Sequence, residues 1–76
     1  MNNDRRKQIE ELITKAEALR EAIDIVENEE IDAFDNLPES LQESERGQSM
    51  QEASDSLADA RFSVDDVLAN LTQALG

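Results

Sequence analysis

The side chains of this sequence that could do chemistry are carboxylates and hydroxyls. Among 76 residues there are 19 Asp plus Glu, 7 Lys plus Arg, and no His or Cys, which gives a formal net charge of -12. Without His or Cys, the chain has no ordinary nucleophile and base pair and no imidazole or thiolate ligand for zinc or haem. The six Ser residues therefore lack an activating base, and we expect them to be helix caps and surface groups.

Paired carboxylates can work as acid and base only in a partly dry pocket that separates their pKa values. A chain this short and acidic is not expected to build one, so we predict neither enzymatic activity nor a cofactor. A calcium-binding loop of the EF-hand type that began at Asp32 would need an oxygen ligand at its third position, Gly at its sixth and Glu at its twelfth. The third position of that loop is Phe34 and the sixth is Leu37 rather than Gly, although the twelfth is Glu43. We therefore expect no specific metal site.

Apolar residues recur at alternating spacings of three and four in two parts of the chain, which is typical of amphipathic helices. No Gly or Pro interrupts residues 8–34 or 48–75. The pattern predicts two long helices packed along two heptad stripes: Ile9, Leu12, Ala16, Leu19, Ile23 and Val26 in the first, and Met50, Ala53, Leu57, Ala60, Val64, Val67, Leu71 and Ala74 in the second.

The expected architecture is all-α, a single domain over residues 1–76 made of an antiparallel two-helix hairpin. The first helix is expected over residues 4–34, capped by Asn3 or Asp4, and the second over residues 45–75. The turn, residues 35–44, contains a Pro that stops the first helix and allows one helical turn over residues 38–42. Ser44 and Ser49 are both candidate caps of the second helix.

A capping signal inside the second helix conflicts with its apolar pattern. Ser63 followed by Asp66, with Phe62 and Val67 as a hydrophobic staple, would end a helix at residue 62. The apolar spacing runs through this point, and we therefore predict a continuous helix. Phe62 is then expected on the solvent side, as an exposed aromatic contact.

The apolar faces are wider than one hairpin needs. Five side chains on the first helix and two on the second extend them: Ile13, Ala22, Ile25, Ile31, Phe34, Leu68 and Leu75. A homodimer in the form of a four-helix bundle would bury these faces, and symmetric dimers are the commonest oligomers. Burial against a different protein is the alternative.

The segment from Asp24 to Glu45 carries nine acidic side chains and no Lys or Arg. Such a surface favours a basic protein partner, which it would bind by copying the charge of a nucleic-acid backbone, and disfavours nucleic acid or an anionic membrane. A solvated surface without a partner is the alternative. No signal peptide or membrane span is apparent, so a cytoplasmic protein is expected. The candidate partner-binding residues are the acidic Asp24, Glu27, Glu29, Glu30, Asp32, Asp35, Glu39 and Glu43, and the apolar Phe34, Leu37, Leu41 and Phe62.

The segment with the least helical periodicity and the most distinctive sequence is residues 34–47, FDNLPESLQESERG. It resembles a turn, FDNLPESLQxSExG, found in small acidic helical-hairpin proteins of phages and other mobile elements. The resemblance implies a hairpin and a mobile-element setting, with the host-cell cytoplasm as the location if the protein is encoded by a phage, but no activity. Phe34, Leu37 and Leu41 can also be interpreted without it, as an apolar edge that covers the end of the helical core.

Three functions remain open from the sequence. The first is a small acidic regulator or inhibitor, encoded by a phage, that binds a basic protein surface. The second is a structural module for homodimerisation or assembly. The third is a helical oligomer that binds a nucleotide-like ligand, which the net negative charge disfavours.

Overall fold

A computed structural model describes residues 1–76, and all of its regular structure is helical. Helix α1 spans Asn3–Asp35, the single turn α2 spans Glu39–Gln42, and α3 spans Glu45–Leu75. The two long helices lie antiparallel as a rod about 59 Å long and 14 by 12 Å in section. The all-α prediction is confirmed. Neither long helix contains a segment apolar enough to cross a bilayer.

Helix α1 begins one residue earlier than expected, because Asn2 is its cap. The Asn2 side chain accepts a hydrogen bond from the Arg5 amide at 2.8 Å, which satisfies one of the free amides of the first turn. At the same end of the rod, Arg6 Nη1 donates to the Leu75 carbonyl at 2.9 Å. This bond joins the start of α1 to the end of α3.

The connection is ordered by hydrogen bonds from its own side chains. Pro38 is the cap of α2, in agreement with the expected helical turn. Gln42 Nε2 donates to the carbonyls of Phe34 and Leu37, each at 3.2 Å, and so ties α2 to the last turn of α1 and to the connection that follows it. Ser44 is the cap of α3 and accepts from the Gly47 amide at 3.5 Å, whereas Ser49 lies inside the helix.

Gly47 is buried where α3 passes the end of α2. A Cβ atom at this position would overlap the carbonyl group of Gln42 and would lie 2.7 Å from the Leu41 carbonyl oxygen. The missing side chain therefore allows α2 to pack directly on the first turn of α3.

Helix α3 is continuous through the competing capping signal, as predicted. The Ser63 hydroxyl donates to the Asp59 carbonyl at 3.0 Å, one turn earlier, and does not cap a new helix. Phe62 is 56% exposed, and the Arg61 guanidinium lies 4.8 Å from the centre of its ring. This distance is typical of a cation–π contact.

The seam between α1 and α3 uses a different heptad register from the one predicted. Leu12, Leu19 and Val26 were expected in the seam, yet they are 47%, 53% and 48% exposed. Three of the expected residues, Ile9, Ala16 and Ile23, do face α3. At the other positions the residue that faces α3 is one further along the chain. The full set is Ile9, Ile13, Ala16, Arg20, Ile23, Glu27, Glu30 and Phe34. The a and d heptad positions of α1 thus include three charged residues.

Helix α3 shows the same shift. Val67 is 47% exposed and Ala53 and Ala74 are also exposed, although the apolar pattern placed them in the seam. Its a and d positions are buried or half-buried: Gly47, Met50, Ser54, Leu57, Arg61, Val64, Leu68, Leu71 and Leu75. Several residues that only widened the apolar faces in the sequence are therefore seam residues, Ile13, Phe34, Leu68 and Leu75 among them.

Candidate interaction surfaces

A charged layer crosses the middle of the seam. Arg61 Nε donates to Glu27 Oε2 at 2.8 Å, and Nη2 donates to Oε1 at 3.3 Å, so that the pair is bidentate. Asp24 Oδ1 lies 3.8 Å from the same Nε. The side chains of Arg61 and Glu27 are 19% and 12% exposed, which makes this the least solvated ion pair of the chain.

Each partner stabilises the charged form of the other. The hydrogen bond from Arg61 holds the pKa of Glu27 below its ordinary value of 4.5, against the opposing effect of desolvation. The hydrogen bond to Glu27 likewise raises the pKa of Arg61, with smaller contributions from Asp24 and Asp65. Glu27 is therefore engaged within the hairpin, although the sequence suggested it as part of an outward acidic surface.

Arg20 and Asp65 form a second ion pair across the seam. Their side chains are 39% and 40% exposed, so solvent screens this pair more than the central one. Together the two pairs fix the register of the antiparallel helices. Leu19 then lies level with Val67, and Val26 lies level with Ala60.

An apolar band runs along one side of the hairpin. In an antiparallel pair the g positions of both helices flank the seam on the same side. Along six turns of each helix the g positions contain no charged residue. We call these eight positions the outer stripe. They are Leu12, Leu19, Val26 and Ala33 on α1, and Ala53, Ala60, Val67 and Ala74 on α3. Within the hairpin this stripe has no partner.

The opposite side of the seam carries a shallow cleft near the connection, which we call the side cleft. It encloses about 410 Å³ and is lined by Ile31, Phe34, Gln51, Ser54 and Asp55. Phe62 lies two turns further along α3 on the same side of that helix. Phe34 and Phe62, both suggested by the sequence as contacts, therefore face the same side of the rod.

The remaining acidic candidates are spread around the connection end. Glu29, Asp32, Asp35, Glu39 and Glu43 are exposed, whereas Asp24, beside the seam, and Glu30, within it, are half-buried. At the tip, Leu41 is 40% exposed and Leu37 is half-buried. No three carboxylates converge closely enough to hold a metal ion.

The net charge lies entirely in one half of the rod. Residues 20–67, the half nearer the connection, contain fifteen carboxylates and three cations, hence a net charge of -12. We call this the acidic half. Residues 1–19 and 68–76 contain four of each and are neutral. Two of the three cations in the acidic half, Arg20 and Arg61, are already bonded to carboxylates across the seam.

No family model, curated protein or solved structure matches the chain. The similarity of residues 34–47 to the turn of mobile-element proteins therefore stays a prediction. The functional interpretation depends on the chemistry of the outer stripe, the side cleft and the acidic half.

Proposed function

We propose that this chain is a non-catalytic interaction module that forms a homodimer, in which two hairpins pair through their outer stripes as a four-helix bundle. The observation that carries the proposal is the exposure of Leu12, Leu19 and Val26, each about half exposed at consecutive heptad positions of α1, with the equally exposed Val67 of α3 on the same side of the rod. An apolar band of this length is typical of a helix face that packs on a further helix.

The surface area supports the same conclusion. Only four residues of 76 are buried, and the accessible surface is 5592 Å². A compact monomer of 8.5 kDa would expose about 4,700 Å². The excess, about 900 Å², is close to the roughly 800 Å² that each partner buries in a stable interface. A second hairpin would also supply the core that chains of this length lack.

Leu19→Asp, compared with Ile25→Asp, tests the dimer. Both residues are about half exposed, but Leu19 lies in the centre of the outer stripe and Ile25 lies on the side of α1 that faces away from α3. Light scattering should show that Leu19→Asp raises the dissociation constant about a hundredfold or more, because two carboxylates would be buried without partners. Equal effects of the two variants would contradict the proposal.

A second candidate function is binding to a basic protein surface, as a regulator or inhibitor of the kind that mobile elements encode. The observation that favours it is the charge of the acidic half, in which two of the three cations are already neutralised. The side cleft adds apolar contacts from Ile31 and Phe34 next to the Asp55 carboxylate. It lies on the side opposite the outer stripe, so one molecule can dimerise and bind a partner at once.

An arginine-rich peptide is a direct probe of this second function. Its affinity should fall steeply between low and moderate ionic strength, because solvent-exposed charges are screened over about 10 Å at 0.1 M salt. Affinity that does not change with salt, or no binding at low salt, would contradict an electrostatic partner surface.

A further inference from the structure

We propose that the two hairpins of the dimer lie with their connections at opposite ends of the bundle. This inference rests on the proposed homodimer and specifies its geometry. Two symmetric arrangements would both bury the outer stripe. With the connections at the same end, α1 packs on α3 of the partner. With the connections at opposite ends, α1 packs on the partner's α1 and α3 on the partner's α3.

The charge distribution distinguishes the two arrangements. Neighbouring helices of a bundle are about 8–10 Å apart, which is close to the screening length at physiological salt. Connections at the same end would place two acidic halves, each with net charge -12, against one another. Connections at opposite ends place each acidic half against a neutral half. Repulsion between the two copies is then much weaker.

The cations of the neutral half also gain partners in this arrangement. Arg5, Arg6 and Lys7 begin α1, at the end of the rod furthest from the connection. In the proposed dimer they lie level with residues 31–33 of the other copy, within its acidic half. Unlike charges are thus brought together at both ends of the interface.

The outer stripe has the symmetry that this arrangement requires. The two-fold axis that places the connections at opposite ends is perpendicular to the rod and passes between each helix and its own copy at one level. The contacts on either side of that level must be the same. The three large side chains of α1 are centred on Leu19, which is also the middle residue of α1. Around that centre, Leu19 meets its own copy, and Leu12 meets the partner's Val26.

Helix α3 crosses the level of Leu19 at Val67. Ala60 and Ala74 lie one heptad to either side of Val67. The axis that pairs Leu19 with its copy therefore also pairs Val67 with its copy. A large side chain of each helix thus meets its own copy at the axis, and the small alanines allow the α3 helices to approach closely on either side.

Distances between spin labels decide between the arrangements. The chain has no cysteine, so a single label can be attached at Glu43→Cys, an exposed position in the connection. We expect a label-to-label distance of about 60 Å, close to the 59 Å length of the rod. A distance below about 30 Å would place the connections at the same end and overturn the inference.

A label at Ala18→Cys is the matched control. This exposed residue lies near the proposed axis, so its distance should be below about 30 Å in either arrangement, which shows that dimers are present in the sample. Light scattering on the same samples separates the two proposals. A monomeric mass would contradict the homodimer itself, whereas a dimer with a short Glu43→Cys distance contradicts only the orientation.

Disulfide formation gives an independent readout. Leu19→Cys should form a covalent dimer under mild oxidation, because residue 19 meets its own copy at the axis. If Leu19→Cys forms a disulfide only after mixing with Val67→Cys, then α1 packs on the partner's α3 and the inference is wrong.

Discussion

Arg61 and Glu27 form a bidentate ion pair across the seam, with hydrogen bonds of 2.8 and 3.3 Å, at positions that a simple helical hairpin fills with apolar side chains. A buried ion pair of this kind adds little net stability compared with well-packed apolar residues. It penalises other registers, however, because a shift of one helix along the other leaves two charges without partners. The pair therefore specifies how α1 and α3 align.

Removing one member of this pair is expected to destabilise the hairpin. Arg61→Met leaves Glu27 charged, largely buried and without its hydrogen-bond donor, and should lower the Tm by several degrees. Arg20→Met is the matched control, since the half-exposed pair with Asp65 contributes only about 0–1 kcal/mol. Thermal unfolding followed by circular dichroism, at one protein concentration, measures both variants.

The double variant Glu27→Leu with Arg61→Met should recover most of the Tm that Arg61→Met loses, because no unpaired charge remains in the seam. A double variant no more stable than Arg61→Met would contradict this explanation, because the loss would then not come from an unpaired charge.

The contribution of Glu27 to stability should depend on pH in the acidic range. Its pKa is lower in the folded state than the ordinary 4.5, because Arg61 donates a hydrogen bond to the carboxylate. The resulting stabilisation is fully present above pH 4.5 and is lost as the pH falls through the folded-state pKa. The Tm difference between the parent chain and Glu27→Gln should therefore be largest near pH 7 and shrink below pH 4.5. A difference that grows on acidification would show the opposite shift.

Gly47→Ala should destabilise the chain even though Ala favours helices by about 1 kcal/mol over Gly. The added Cβ would overlap the Gln42 carbonyl group, and backbone cannot rotate away as a flexible side chain can. Overpacking of this kind costs about 1–3 kcal/mol. Ser56→Ala, at an exposed position of α3, is the control and should be neutral or slightly stabilising. Chemical denaturation measures both, and a more stable Gly47→Ala would show that α2 does not pack on α3.

The side cleft gives the basic-partner function a local test. Asp55→Asn should weaken binding of an arginine-rich peptide about fivefold, since one exposed ion pair is worth up to about 1 kcal/mol. Asp59→Asn removes the same charge one turn away, on the side of α3 that faces away from α1, and should have a smaller effect. Titration calorimetry at low salt compares them. Equal losses would indicate diffuse attraction to the acidic half, without a role for the cleft.

The sequence was sufficient to predict the two long helices, the single helical turn after Pro38 and the continuous α3. These depend on local signals, namely caps, the proline, and an apolar period maintained over about seven turns in the second helix. The observed helix bounds, Asn3–Asp35 and Glu45–Leu75, lie beside the expected 4–34 and 45–75.

The heptad register was not predictable in the same way. Each helix carries two adjacent apolar patterns, and the more complete one, with Leu12, Leu19 and Val26, was assigned to the seam. The structure turns that pattern outward and places Arg20 and Glu27 inside, because each charge finds a partner on α3. A charged residue in a helix pattern normally indicates the solvent side. Only the simultaneous match of two oppositely charged pairs at the same antiparallel offset could have revealed the true register.

The same ambiguity hid the candidate interaction surface. The apolar pattern placed Leu19 in the seam between the two helices rather than at the centre of an outer stripe. The roles of Gln42 and Gly47 in the connection also went unrecognised, because they depend on where α2 approaches α3 in space. Nothing local to either residue indicates that approach.

Sedimentation equilibrium of the parent chain over a wide concentration range tests the central claim most directly. We expect the average mass to rise with concentration from 8.5 kDa to twice that value, with helical circular dichroism throughout. A helical chain whose mass stays at 8.5 kDa up to about millimolar concentration would contradict the claim that the outer stripe binds a second copy.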